Sequence, residues 1–386
     1  MGSMEYLKKI CSLPHRGSGT KYEHECAGMI NRELRGLGYR AVMQEFSSPA
    51  DTLYVLPLEA GIPLVMLGFA ALATHGYALH VLELVAGLLF LIPVLIETGG
   101  YGIETNILPK RKSYNVFTEP ESGGKPKIAI AAHYDTQRGS FLFSPGFVDH
   151  LQAFYYADYA GLAMILAGML LYMFFPVPGK AVLYIGLAAG CIGQAVFLVA
   201  WLTGRYTPGA NDNGSGTGLA LYLAEDYRQH RDEYPVGADL VFLFTGSEEV
   251  GERGMSAYIK KYRPDREDTG FVILDNLGTG KITYLEGEGM IKYYRAGSDL
   301  LQTADGMKAE YAGLQRQHNL LLPTDALPAL AAGYQAISFL GKDEKGRLGN
   351  YHWYTDTVEN VDEQLMRREE TFFKKYIIKV MEKVSH

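Results

Sequence analysis

Two hydrophobic patterns divide the chain. Apolar residues run almost without a break through residues 60–96 and 159–204, where the only charged residues are Glu83 and Lys180. A helix that crosses a bilayer needs about 20 apolar residues. Each block is long enough for two such helices, with breaks near residues 74–77 and 176–180. The pattern therefore predicts four transmembrane helices in two hairpins, at residues 57–98 and 157–204.

Hairpins that are buried in a soluble core or at a dimer interface are the alternative. Glu83, Pro63 and Pro93 weaken the transmembrane interpretation of the first hairpin, because charged residues and helix breakers are costly in lipid. The second hairpin, with helices expected at residues 159–175 and 181–202, gives the clearer signal.

Outside the hairpins, short apolar runs alternate with amphipathic stretches. Strands are expected at residues 40–46, 127–132, 239–244, 271–274 and 336–340, and helices at 20–37, 214–230, 254–262, 325–332 and 363–384. This alternation is typical of the α/β class, with a mainly parallel (mixed) sheet sandwiched by helices. The sequence predicts one such domain over residues 4–386, interrupted by the two hairpins.

Composition narrows the choice of partners and compartment. The net charge is −7 and no basic stripe occurs, so nucleic acid is not an expected partner. The three cysteines, Cys11, Cys26 and Cys191, are scattered and do not form a disulfide framework, which favours a reducing compartment. Residues 1–15 lack the hydrophobic core of a signal peptide. No sequence feature points to an oligomeric state.

Charges beside the hairpins predict an orientation. Lys110-Arg-Lys112, Arg138 and Arg205 lie on the flanks that lead into the α/β domain, whereas the far loops carry only Lys180. Cytoplasmic flanks of membrane helices are enriched in lysine and arginine. The pattern predicts a multi-pass integral membrane protein whose α/β domain faces the cytoplasm.

Two adjacent acids follow an apolar run that is expected to be a buried strand. In the stretch Phe244-Thr-Gly-Ser-Glu-Glu-Val-Gly251, the acids are Glu248 and Glu249. Buried carboxylates are costly unless a positive partner lies beside them. A metal ion with a water molecule would satisfy both acids, one as a ligand and the other as a base.

Further candidates occur at the ends of other expected strands and in one loop. His133 and Asp135 follow one strand, Asp275 ends another, and Asp212 lies in a glycine-rich loop that opens a helix. Each has an ordinary explanation when taken alone: a structural histidine, a strand-ending acid, and a helix N-cap or turn. A phosphate-binding loop around Asp212 is a further option, but the Lys-Ser/Thr ending that it needs is missing.

His352 completes the set, although a single histidine in this position is more often a surface-loop residue. Together the candidates supply two imidazoles and enough carboxylates for two metal ions that share one carboxylate. Oxygen and nitrogen ligands without cysteine suit Zn²⁺ in a hydrolytic site, with Mn²⁺ or Co²⁺ as substitutes.

Taken in order, these motifs resemble the co-catalytic zinc aminopeptidase family that includes aminopeptidase Y and the glutamate carboxypeptidases. His133-Tyr-Asp135 resembles the family's His-x-Asp, and Asn211-Asp-Asn-Gly-Ser-Gly216 resembles its Asp-Asp-Asn-x-Ser-Gly, with Asn211 in place of the first Asp. Glu248-Glu249 matches its paired glutamates, and Tyr351-His352 its final histidine motif. Thr324-Asp325 resembles its Ser-Asp-His element, with alanine in place of that histidine.

The resemblance implies a role for each residue. His133 and Asp275 would bind one zinc, Glu249 and His352 the other, and Asp212 would bridge the two ions. The remaining residues are implied as catalytic: Glu248 as the general base, Asp135 as the residue that orients His133, and Tyr351 as a donor to the oxyanion.

The implied activity is that of a membrane-anchored metallo-exopeptidase with two zinc ions, most simply an aminopeptidase that removes N-terminal residues. The second hairpin is inserted between His133 and Asp212, so the site is expected close to the bilayer. Apolar peptides are therefore the expected substrates, and the lipid bilayer is an expected partner. Alternatives are a glutaminyl-cyclase-like enzyme with one zinc, a carboxypeptidase or dipeptidase on the same fold, and a non-catalytic membrane receptor. A receptor would be expected to have lost Glu248 or a ligand.

Overall fold

The computed structural model describes residues 1–96, 109–120, 127–320 and 322–384. Contacts divide the chain into two compact units. The sheet unit comprises Met1–Ala50, Pro109–Arg138 and Tyr206–His386, and the helical unit comprises Asp51–Leu108 and Gly139–Arg205. Residues 97 and 98, at the end of the first predicted hairpin, lie outside the described residues.

The sheet unit contains a nine-stranded mixed sheet. Its strands are β1 (Ala41–Ser48), β2 (Arg111–Thr118), β3 (Lys127–His133), β6 (Asp239–Thr245), β7 (Thr269–Leu274), β8 (Lys281–Glu288), β9 (Tyr294–Arg295), β10 (Gln315–Asn319) and β11 (Gln335–Lys342). Two short strands, β4 (Arg138–Gly139) and β5 (Arg205–Tyr206), pair with each other outside this sheet. The strand order is β1-β2-β6-β3-β7-β11-β8-β10, with β9 beside β8.

The central strands β6, β3, β7 and β11 run parallel to one another. The pairs β1–β2, β2–β6, β11–β8 and β8–β9 are antiparallel, and β10 is parallel to β8. The predicted mainly parallel, mixed sheet is therefore confirmed. The predicted strand at 40–46 is β1, which joins the sheet through an antiparallel pairing.

Alternation along β3 explains why helices cover both faces of the sheet. Ile128 and Ile130 belong to one buried cluster, whereas Ala129 and Ala131 belong to another. Successive side chains of a strand point to opposite faces, so these clusters lie on opposite sides of the sheet.

The helices of this unit are α1 (Ser3–Ile10), α2 (Lys21–Gly36), α7 (Gly216–Gln229), α8 (Arg253–Tyr262), α9 (Ser298–Gly306), α10 (Ala326–Ala331) and α11 (Glu363–Val384). Residues of α8 and α10 pack in the smaller of the two clusters, and residues of the other five helices pack in the larger. The ten elements expected from the sequence are present, within two residues of their expected bounds. The sequence did not predict strands β2, β4, β5, β8, β9 and β10 or helices α1 and α9. The five residues of the edge strand β10 are all polar, so no apolar run marks it.

Four long apolar helices lie in the helical unit. They are α3 (Val55–Ala73), α4 (Tyr77–Ile96), α5 (Leu151–Phe174) and α6 (Pro176–Thr203). All four are long and apolar enough to cross a membrane. Large apolar side chains face outward, among them Leu89, Leu202 and Met66, with exposed fractions of 68%, 67% and 66%. Apolar surface of this extent indicates membrane association.

The second pair of helices departs from its expected bounds. The break expected at residues 176–180 is wrong, because α6 begins at Pro176, directly after α5 has ended at Phe174. Proline is favoured in the first turn of a helix, where its missing N–H is not needed. The start of α5 at Leu151 also brings Asp158 inside an apolar helix.

Asp158 has a polar partner on a neighbouring helix. Gln194 of α6 donates a hydrogen bond from Nε2 to Asp158 Oδ1, at 3.1 Å. Glycines leave room for both side chains, since a Cβ at Gly193 would lie 1.9 Å from Asp158 Oδ1 and one at Gly61 would lie 2.1 Å from the Gln194 amide. Glycine thus lets three helices approach around one polar pair.

Glu83 of α4, the other acid buried in these helices, is also partnered. Its Oε1 accepts a hydrogen bond from Thr74 Oγ1 at 3.0 Å, and its Oε2 lies 3.0 Å from His80 Nδ1. The residue that weakened the transmembrane interpretation of the first hairpin is therefore satisfied within that hairpin.

Candidate metal centre

The predicted site begins where neighbouring parallel strands end. His133 is the last residue of β3 and is in register with Thr245, the last residue of β6. Asp275 follows the last residue of β7. Because β6, β3 and β7 are adjacent and parallel, the loops that follow them start at one edge of the sheet.

Three of the predicted ligands form a first group. One ligand atom from each of His133, Asp212 and Asp275 lies within 4.8 Å of the others. His133 Nε2 lies 3.3 Å from Asp212 Oδ1 and 3.3 Å from Asp275 Oδ1.

A second group contains Asp212, Glu249 and His352. His352 Nε2 lies 3.1 Å from Asp212 Oδ2 and 2.9 Å from Glu249 Oε2. Asp212 therefore presents one oxygen to each group. The structure brings all five predicted ligands together, and it divides them between the two groups as the resemblance implies.

All five ligand side chains are buried, with exposed fractions of 9% or less. Burial alone would lower the pKa of His352, but Glu249 and Asp212 raise it to about 10. In the same way Glu248 and three aspartates outweigh the burial of His133 and raise its pKa well above the usual value. Both shifts reflect a cluster of buried carboxylates that needs positive charge beside it.

Glu248 lies beside the first group but belongs to neither. Its carboxylate is 3.9 Å from His133 Nε2, and its side chain is 7% exposed. Burial raises the pKa of Glu248 well above its usual range, partly offset by His133, and the nearby charges of Asp325 and Glu249 raise it further. A carboxylate with a raised pKa in such a position can accept and return a proton near neutral pH.

Asp135 contacts two parts of the site. Its Oδ1 lies 3.5 Å from His133 Nδ1. Its two carboxylate oxygens accept hydrogen bonds from the backbone N–H groups of Glu248 and Glu249, at 3.0 and 3.2 Å. Asp135 is thus placed to orient the histidine, as the resemblance implies, and it also holds the loop that carries both glutamates.

The Tyr351 ring stacks on the His352 ring, with 3.8 Å between centroids. Burial raises the pKa of Tyr351 well above its usual value, and the charges of Asp212 and Glu249 add to this effect. The phenol therefore stays protonated at neutral pH, as a hydrogen-bond donor must.

Two further residues act on the ligands, and sequence reasoning gave them no role. Gln137 donates from Nε2 to the Glu249 backbone oxygen at 2.7 Å and to Glu249 Oε2 at 3.3 Å. Asp356 accepts hydrogen bonds from the backbone N–H groups of Asn211 and Asp212, at 2.6 and 3.0 Å. Gln137 lies two residues after Asp135, and no spacing rule marks it. Asp356 lies four residues after His352, and the sequence predicted no function for it.

Asp325, the acid of the Thr-Asp element, lies outside both groups. Its carboxylate accepts a hydrogen bond from Thr245 Oγ1 at the end of β6. Burial raises its pKa to about 7. Its charge acts on Glu248, so it belongs to the surroundings of the presumptive base without being a ligand.

The donor set fits zinc. Imidazole nitrogens and carboxylate oxygens, without cysteine, are suitable ligands for a hydrolytic Zn²⁺ site. Glu249 Oε1 is buried and has no hydrogen-bond partner among the described residues, as expected for an oxygen that a cation would satisfy. The two groups share Asp212, which is the arrangement needed for a carboxylate that bridges two ions.

A family model described as Peptidase family M28 matches residues 195–377. That segment is similar to peptidase family M28. The matched M28 segment includes four of the five candidate ligands, and His133 lies before it. No curated protein sequence matches the chain.

Solved structures similar to this chain share little sequence with it. A zinc aminopeptidase from Bacillus subtilis is 15% identical, with a TM-score of 0.58, and the match covers 98% of this chain and 93% of that one. A Zn-dependent exopeptidase from Parabacteroides distasonis is 12% identical, with a TM-score of 0.56 and coverage of 98% and 97%. A glutaminyl cyclase from Tannerella forsythia is 13% identical, with a TM-score of 0.56 and the same coverage.

At these identities the likeness concerns the fold alone. The predicted zinc-exopeptidase fold is thereby confirmed for this chain, and the similarity to peptidase family M28 supports a zinc peptidase. A peptidase and a cyclase are matched equally well, so the choice between these activities depends on the site.

Proposed function

We propose that this protein is a membrane-anchored di-zinc aminopeptidase. The observation that carries the proposal is the pair of buried ligand groups that share Asp212, with Glu248 beside them but in neither. Two complete groups fit a co-catalytic pair of ions better than a single one.

In this proposal, His133 and Asp275 would hold one zinc, Glu249 and His352 would hold the other, and Asp212 would contribute to both. Zinc, when bound, supplies a Lewis acid that polarises a carbonyl group and acidifies water.

Glu248 accepts the proton of the attacking water and delivers it to the leaving amine. Its buried carboxylate, 3.9 Å from His133 Nε2, is placed for both steps. Tyr351 donates a hydrogen bond to the oxyanion, a contribution that is typically about 10²–10³-fold in rate for one donor. Asp135 orients His133 and fixes the backbone beside Glu248.

A glutaminyl-cyclase-like activity is the second candidate, since cyclases are among the structures of similar fold. The complete second ligand group, Asp212, Glu249 and His352, favours the di-zinc hydrolase. A carboxypeptidase or dipeptidase would use the same ligands and differ only in how the ends of the peptide are bound.

The domain arrangement is part of the proposal. One peptidase domain over residues 4–386 is interrupted by transmembrane hairpins at 57–98 and 157–204, and the domain faces the cytoplasm. The apolar outward faces of the four helices and the lysines and arginines of their flanks support this arrangement. Insertion of the second hairpin between His133 and Asp212 supports apolar peptides as substrates. Labelling of a cysteine introduced on α11, from outside intact cells, should fail; strong labelling would reverse the topology.

Glu248→Gln tests the proposed chemistry. The variant should keep two zinc ions per chain by elemental analysis and lose about 10²–10⁴-fold in turnover of aminoacyl reporter amides, because an amide cannot accept the proton. Glu267→Gln, at an exposed position, is the matched control and should behave as the wild type. Unchanged turnover in Glu248→Gln would remove Glu248 from the role of base.

A panel of short peptides separates the candidate activities. The wild type should hydrolyse peptides with a free amino terminus and leave those with a blocked one intact. Attack that requires a free carboxyl terminus would instead indicate a carboxypeptidase. Release of ammonia from an N-terminal glutamine, without cleavage of a peptide bond, would indicate the cyclase.

A further inference from the structure

Asn211, next to the shared ligand Asp212, uses its whole side-chain amide in contacts within the sheet unit. The residue is fully buried. Its Oδ1 accepts a hydrogen bond from Gly278 N at 2.7 Å, and its Nδ2 donates to the Gly349 backbone oxygen at 2.9 Å and to Asn276 Oδ1 at 3.2 Å. Both N–H bonds and the carbonyl of the amide are therefore engaged.

Two of these contacts hold the segment that carries Asp275. Asn276 directly follows that ligand in the chain, and Gly278 lies three residues after it. Because Asn276 Oδ1 accepts from Asn211, its amide nitrogen faces Asp275, and it donates to Asp275 Oδ1 at 2.9 Å. A chain of two hydrogen bonds therefore leads from Asn211 to a ligand of the first group.

The third contact holds the segment that carries His352. Gly349 lies three residues before this ligand of the second group. From the same segment, Asp356 accepts a hydrogen bond from the backbone N–H of Asn211 at 2.6 Å. Asn211 is thus tied to this segment through both its side chain and its backbone.

The segments that Asn211 joins contain residues with unusual backbone conformations. Asn276, Asn350 and His352 have φ angles of 51°, 57° and 48°. Non-glycine residues adopt this left-handed region at a cost in free energy, and they remain there only where surrounding contacts hold them. The hydrogen bonds of Asn211 supply such contacts on both segments.

We propose that Asn211 is a positioning residue that links the two ligand groups, so that its amide sets the affinity of both zinc sites. The inference rests on the proposed di-zinc function. Aspartate at this position would keep the acceptor for Gly278 N, but it would turn an oxygen toward the Gly349 oxygen and Asn276 Oδ1. Both donated hydrogen bonds would be lost in a side chain of nearly the same shape.

Asn211→Asp in the full chain is the test. Zinc binding to the metal-stripped protein is measured by competition with a chromophoric chelator, together with the thermal unfolding of the metal-free protein. Both zinc affinities should fall about 10–100-fold, the range typical of residues that support metal ligands, and excess zinc should restore turnover. Asn360→Asp is the matched control: it loses a hydrogen bond donated to the Thr355 backbone oxygen at an exposed site and should bind zinc as the wild type does.

A second variant keeps the proposal testable if Asn211→Asp does not fold. Asn276→Gly removes only the amide between Asn211 and Asp275, and glycine accepts the left-handed backbone there. It should weaken one zinc site and leave the other within about twofold of the wild type. Wild-type affinities in folded Asn211→Asp, loss at only one of its sites, or equal weakening of both sites in Asn276→Gly would overturn the linking role. Failure of the wild type to bind two zinc ions or to hydrolyse any peptide would instead overturn the proposed function.

Discussion

The buried acids of the helical unit and those of the sheet unit have different neighbours. In the helical unit, Asp158 and Glu83 each lie beside side chains that donate hydrogen bonds, Gln194 to the first and Thr74 to the second. In the sheet unit, acids from separate loops converge on the imidazoles of His133 and His352.

This difference shows which structural observation indicates a metal centre. A buried acid that lies apart from other acids, with a hydrogen-bonding side chain beside it, gives no indication of a metal ion. Several buried acids around shared imidazoles repel one another unless cations are added. Convergence of acids, more than the burial of any one of them, therefore marks the candidate metal centre.

Removal of Asp212 should have the largest effect, because both ligand groups depend on it. Asp212→Ala should lose both zinc ions and all measurable hydrolysis, as followed by elemental analysis and by turnover of aminoacyl amides. Asp232→Ala, at an exposed position, serves as the control and should keep both. A full zinc complement in Asp212→Ala would exclude a bridging carboxylate. The converging acids of the sheet unit would then indicate a metal centre no better than the acids of the helical unit do.

Glu23 sharpens the comparison within the sheet unit, because it is a buried acid outside both ligand groups. It accepts hydrogen bonds from Ser113 Oγ at 2.5 Å, Gly19 N at 2.7 Å and Ser247 Oγ at 3.2 Å. Burial, with a contribution from the charge of Asp135, raises its pKa to about 8. Substitution of Glu23 should therefore change the stability of the fold and leave the zinc content unchanged.

The sign of the pH effect follows from the raised pKa of Glu23. Between the unfolded value of about 4.3 and the folded value of about 8, the folded chain holds a proton that the unfolded chain has released. The stabilisation is thus complete below the unfolded pKa and is lost as the pH rises, at up to about 1.4 kcal/mol per pH unit. Glu23→Gln removes this slope. The free energy of unfolding of the variant should therefore increase relative to that of the wild type between about pH 5 and pH 8. Denaturant unfolding in detergent measures the difference, and parallel pH profiles would contradict it.

The smallest effect is expected in the helical unit. Asp158→Leu should destabilise the protein by about 0.6–2 kcal/mol, the range of a hydrogen bond between membrane helices. Asp158→Asn is the matched variant: it keeps the acceptor for Gln194 Nε2 and adds a donor, so it should be at least as stable as the wild type. Thermal unfolding in detergent ranks the three proteins. Loss of zinc in Asp158→Leu would show that an acid of the helical unit also serves the metal centre.

Much of the fold could be predicted because apolar periodicity decides it. The long apolar blocks predicted four helices, and short apolar runs predicted the central strands of the sheet. Local backbone effects, which the apolar pattern does not reflect, determine the other features of the fold. The first turn of α6 accommodates Pro176, and the edge strand β10 has no apolar face to bury. Both features depend on backbone hydrogen bonding more than on hydrophobicity.

The candidate ligands could be predicted because each follows a strand or opens a helix. Their supporting residues could not, since hydrogen bonds between distant segments leave no periodic mark. Gln137 reaches Glu249, and Asn211 reaches Gly349, only after the sheet has brought their loops together. Asp135 was expected to orient one histidine, and its contact with the backbone beside Glu248 was not foreseen.

The order of the ligands along the chain has a consequence for biosynthesis. His133 leaves the ribosome before α5 and α6 are made, and His352 leaves it long after them. Both apolar hairpins are therefore available for insertion into a bilayer while the second imidazole has yet to be translated. In the proposed membrane-anchored peptidase, all four apolar helices are therefore translated before the last candidate ligand, so anchoring can precede assembly of the metal centre.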